Sequence, residues 1–67
     1  MAIKTHTINK ITSQVEMVSD GANQYDNPNW YDLQLDDAVF EEWKNLGRAA
    51  QLMYNESEGT LYIKELA

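Results

Sequence analysis

The chain has no cysteine in 67 residues, so neither a disulfide nor a thiolate-bound metal can brace it, and a reducing, cytoplasmic setting is the expected one. Histidine occurs once, at His6, with no serine, cysteine or second histidine at a spacing that suggests a triad or a metal site. His6 is therefore expected to be an ordinary exposed strand residue. No apolar run exceeds three residues, far short of the ~20 that cross a bilayer, and the N-terminal stretch lacks the apolar core of a signal peptide. Basic residues are scarce: five Lys and Arg stand against eleven Asp and Glu, a formal charge of −6. Phosphate backbones and anionic membranes are bound through Lys and Arg, so neither direct nucleic-acid binding nor membrane binding is expected.

At 43% hydrophobic and 10% aromatic, the chain is rich enough in packing residues to fold. A length of 67 residues allows a single domain, 1–67, with one thin core; chains this small often lean on a partner subunit. Ile11, Val15 and Met17 alternate with polar neighbours, which predicts a half-buried strand over Ile11 to Val18. Neither Gly nor Pro marks a turn at Asn9-Lys10, so Ile3 to Ile8 either continues that strand or stands apart from it, and it is read as a separate or frayed first strand. Ser19 to Asn29 collects Asp, Asn, Gly and Pro and predicts the one long loop. Beyond it Tyr31, Leu33 and Leu35 alternate with polar residues, and Trp30 to Leu35 is expected to pair with Ile11 to Val18 as a long-looped hairpin.

Asp36 or Asp37 can cap a helix, with Leu35 and Phe40 placed as a hydrophobic staple. Val39, Phe40, Trp43, Leu46, Ala50, Met53 and Tyr54 recur at three- and four-residue steps, predicting one amphipathic helix from Asp37 to Tyr54 with Arg48 on its solvent side. Gly47 is then a mid-helix glycine, placed to make room for Trp43 or for a close helix crossing. Glu56-Ser57-Glu58-Gly59 supplies a turn before a last strand, Thr60 to Glu65. The expected fold is α+β: a three- to four-stranded antiparallel sheet with the helix on one face, in the order β(β)βαβ, and the other face open.

No catalytic, cofactor or metal residue is predicted. The loop Asp20 to Asn27 carries oxygen ligands but lacks the pattern of an EF-hand, and the glycines form no phosphate-binding motif. What the fold leaves over is the aromatic pair Tyr25 and Trp30 and a set of carboxylates, Asp32, Asp37, Glu41 and Glu42. These six are the candidate partner-binding residues. Three functions follow. The first is a small, non-enzymatic acidic interaction protein that binds and inhibits a basic, nucleic-acid-binding protein, as phage and mobile-element proteins do. The second is a structural or regulatory homodimer, and the third is a small-ligand or metal-binding domain.

Overall fold

The computed structural model describes residues 2–47 and 49–66, and the fold is α+β. Its elements run β1 (Ile3–Asn9), β2 (Val15–Ser19), β3 (Trp30–Asp36), α1 (Ala38–Lys44), β4 (Ala50–Asn55) and β5 (Thr60–Glu65). The strands form two antiparallel sheets, one with the order β2-β1-β3 and one a β4-β5 hairpin. A single bridge from Gln14 to Met53 joins them, supported by the Tyr54 amide donating to the Ser13 carbonyl at 2.8 Å.

β1 is the central strand, not a frayed edge. Its residues Thr5, His6, Thr7 and Ile8 are all buried, so both faces of the strand are covered. The expected hairpin between the second and third strands does not form, because β1 lies between them. β2 and β3 both run antiparallel to β1 and hence parallel to each other, and the loop 20–29 must carry the chain across the sheet to the far side of β1.

A turn does interrupt the first two strands. The Asn9 side-chain oxygen accepts the amides of Ile11 and Thr12 at 2.9 and 3.3 Å, the Asn9 carbonyl accepts the Ser13 amide at 2.7 Å, and Ser13 adopts φ 64°. The β4-β5 turn is built the same way. Asn55 accepts the Glu58 amide through its side chain at 3.1 Å and the Gly59 amide through its carbonyl at 2.7 Å, with Gly59 at φ 70°. Two sequences, Asn9 to Ser13 and Asn55 to Gly59, thus write one turn, with glycine at the left-handed position in only one of them.

The largest correction concerns the helix. It covers only Ala38–Lys44, with its C-cap at Asn45, and residues Ala50 to Asn55 are strand β4. The apolar steps from Val39 to Leu46 are helical, but Ala50, Leu52 and Tyr54 also fit a period of two, and in the folded chain β5 offers them a paired ladder. Gly47 lies beyond the helix end in open space, so it makes no room for Trp43; with Asn45 it marks the stop. Arg48 lies outside the described residues.

The core is thin. Among the described hydrophobic residues only Ile8, Leu52 and Met53 are buried, at 1%, 3% and 7% exposure, and α1 has no buried residue. Register places His6 and Ile8 on the same face as Leu33, Tyr31 and Val18, and Leu52 on the same face as Leu61 and Ile63. Met53 lies on the other face of β4, opposite Tyr62, whereas these two faces hold Ile8 and Leu52 with α1 at one end. There Phe40 and Trp43 line a small cavity of about 60 Å³ with Val15, Val18 and Leu52, and the Trp43 indole donates to the Ala50 carbonyl at 2.9 Å.

Candidate functional site

The second face of the three-stranded sheet carries Thr5 and Thr7 from β1, Ser19 from β2, and Asp32 and Gln34 from β3. This face is not open. Thr5 and Thr7 are 4% and 0% exposed, and loop 20–29 is the cover. Asn23 donates its amide to the Thr7 hydroxyl at 2.6 Å and to the Thr5 carbonyl at 3.4 Å, while its oxygen accepts the Ser19 hydroxyl. Thr7 donates onward to Asp32 at 2.7 Å, Gln34 donates to the Thr5 hydroxyl at 2.7 Å, and the Tyr25 hydroxyl donates to Asp32 at 3.0 Å. Burial, aided by that bond to Asp32, pushes the Tyr25 hydroxyl above its usual value, so it stays a donor. The Tyr25 ring packs on Trp30 at 5.6 Å. Three predicted residues, Tyr25, Trp30 and Asp32, therefore come together. The Tyr25 hydroxyl and the Asp32 carboxylate help to hold the crossing loop down; among the described residues none of the hydroxyls on this face bonds to a histidine or lysine that could activate it as a nucleophile.

Asp37 and Glu41 belong to a second group beyond the other end of β3. Asp37 is 7% exposed. Its carboxylate accepts the Ala2 amide at 3.0 Å and lies 3.4 Å from the Lys4 ammonium. The Ala2 bond leads, with Lys4 adding to it, in holding this carboxyl below the ordinary range against the opposing effect of burial. Glu41 is shared between Lys4 at 3.7 Å and Lys44 at 3.0 Å, and both ammonium groups lie over the Phe40 ring. This cluster ties β1 to the start of α1. Glu42 is exposed on α1, apart from both groups.

His6 is buried at 0% exposure, contrary to the expectation of an exposed strand residue. Its Nδ1 bonds the Lys4 carbonyl at 3.0 Å and its ring meets Phe40 edge-on. Nε2 has no hydrogen-bond partner among the described residues. Burial pulls the imidazole pKa below its ordinary value, and the Lys4 carbonyl only partly offsets this; His6 is neutral at pH 7. Among the described residues no group of His, Asp and Glu is arranged to hold a metal ion.

A further feature was missed by the sequence reading: the outer edge of β3. The Lys10 amide bonds the Asn29 carbonyl at 2.9 Å and the Asp37 amide bonds the Ala2 carbonyl at 2.8 Å. In this register the odd residues of β3 spend their backbone groups on β1, and those of Asp32, Gln34 and Asp36 point away from the sheet. Beside the end of this edge lies a half-open cleft of about 220 Å³, lined by Leu35, Asp36 and Val39 on one side and by Gly59, Thr60 and Leu61 on the other. Alternation in Tyr31 to Leu35 revealed the strand, but which strand is an edge depends on partners that are distant in sequence.

No family model, no curated protein and no solved structure matches this chain. Among the described residues no helix is long and apolar enough to cross a membrane.

Proposed function

We propose that the chain is a non-enzymatic, cytoplasmic acidic interaction protein that binds a basic protein partner and blocks the surface with which that partner holds nucleic acid. One observation carries the reading: two of the five Lys and Arg residues, Lys4 and Lys44, are spent on internal ion pairs, while exposed carboxylates are left without a cation. Lys4 serves Asp37, Glu41 and Asp20, and Lys44 serves Glu41. Asp32, Asp36 and Glu42 have no cation within ion-pair distance among the described residues, and all three are exposed. A negative surface of this kind speeds association with a positive groove and disfavours other acidic surfaces. The binding residues are drawn from Trp30, Asp32, Asp36 and Glu42, whereas Asp37 and Glu41 support the fold.

The test is capture from lysate at about 0.15 M salt, where screening already acts beyond about 8 Å. The immobilised chain is compared with the double variant Asp32→Asn, Asp36→Asn. At position 32 asparagine keeps an oxygen to accept the Thr7 and Tyr25 hydroxyls while removing the charge. A basic protein held by the native chain and released by the variant supports the reading. Retention of no basic protein removes it.

A homodimer is the second reading, and the thin core favours it, with Ile3, Ile11, Tyr62 and Leu66 exposed. Light scattering over a range of concentrations separates the two readings, since a monomer at the highest concentration excludes obligate dimerisation.

A further inference from the structure

We infer that the outer edge of β3, together with the cleft beside it, accepts one extended segment of a partner in which apolar and basic residues alternate, and adds it to the three-stranded sheet as a fourth strand. This rests on the acidic-interaction reading and specifies how such a partner is held.

Three observations on different levels converge. The first is backbone: Asp32, Gln34 and Asp36 direct their amides and carbonyls outward, and no described residue bonds to them there. Pairing is stopped at the near end, where the Trp30 amide turns back to the Asn27 carbonyl at 3.1 Å. An unpaired row of this kind is a template for a strand. The second is charge. Residues opposite one another in a sheet share a face, so the positions facing Asp32 and Asp36 suit Lys or Arg. The third is shape: the positions between them fall on the side of Leu33 and Leu35, where the cleft walled by Leu35, Val39 and Leu61 receives an apolar side chain.

The same carboxylates argue against a second copy as the occupant. Two β3 edges meeting about a twofold axis at Gln34 would set Asp32 against Asp36 twice, between chains that each carry a formal charge of −6. A basic strand reverses the sign of every one of these contacts.

The probe is an acetylated, amidated peptide, Lys-Val-Lys-Leu-Lys-Val-Lys, added to the ¹⁵N-labelled whole chain. Three controls accompany it: a peptide of the same composition with its lysines grouped, and two versions N-methylated at alternate residues in opposite phases. Hydrogen exchange at the Asp32, Gln34 and Asp36 amides is expected to slow at least about tenfold at saturation, while Leu33 and Leu35, already bonded to β1, change little. One methylation phase, and the Gln34→Pro variant, which lacks an edge amide, should each weaken binding at least about tenfold. If Gln34→Pro does not fold, the methylated peptides still decide on the native chain. Equal binding of alternating and grouped peptides with no protection at the edge overturns strand addition and leaves the basic-partner reading standing. Failure of every basic peptide to bind at about 0.05 M salt overturns both, because screening is weakest there.

Discussion

Burial of His6 has a consequence that can be read in solution. The native imidazole is neutral and its pKa is depressed, whereas the unfolded chain takes up a proton near the ordinary 6.5. Between the native value and 6.5 the unfolded state binds more protons, so stability is full above 6.5 and declines as the pH falls below it. Asp37 adds a second, more acidic loss. Its depressed carboxyl stabilises the fold above the ordinary 3.8, and that contribution disappears as the pH falls through the native value. Denaturant unfolding at a series of pH values should show both losses. His6→Leu should remove the first and Asp37→Asn the second, and an NMR titration of His6 should give an apparent pKa below 6.5.

The paired turns allow an exchange experiment at the element scale. Ser13 holds φ 64° and Gly59 φ 70°, a region that disfavours any residue with a β-carbon. Ser13→Gly should stabilise the fold by about 0.5–1 kcal/mol and Gly59→Ser should destabilise it by a similar amount, since the left-handed strain outweighs the extra chain freedom of glycine. Gly47→Ala is expected to be neutral or stabilising by up to about 1 kcal/mol, because a β-carbon there meets open space. The loop crossing depends on Thr7. Thr7→Val leaves the Asn23 amide and the Asp32 carboxylate short of a partner, at a cost of about 1–3 kcal/mol, and hydrogen exchange should quicken across 20–29. Trp43→Ala should cost about 2–3 kcal/mol, below the ~3–5 of a fully buried tryptophan, because Trp43 is only half-buried. Chemical denaturation checks each value.

At the scale of the molecule, the two sheets meet through one bridge and a core of few buried apolar side chains. β3 is one edge of the three-stranded sheet, with a cleft between its end and the start of β5. A segment that pairs with β3 would also fill this cleft, so binding should raise stability by mass action. The thermal midpoint should rise with the concentration of the alternating peptide, and the grouped peptide should raise it less.

Sequence alone determined what depends on near neighbours. The α+β class, the strand Thr60–Glu65, the turn ending in Gly59, the strand beginning at Trp30 and a helix start at the Asp36-Asp37 pair all follow from alternation, capping residue types and turn residues. The aromatic and acidic candidates were legible as residue types, but their grouping was not. Tertiary structure decided whatever depends on pairing between distant segments. It made Ile3–Asn9 the central strand, ended the helix at Lys44 and turned Ala50–Asn55 into β4. It also divided the carboxylates, drawing Asp37 and Glu41 inward to Lys4 and leaving Asp32 and Asp36 on an open edge. The reason is common to all of these. A short apolar stretch satisfies helical and extended periods about equally well, and only a hydrogen-bonded partner strand supplied from elsewhere in the chain makes one of them lower in free energy.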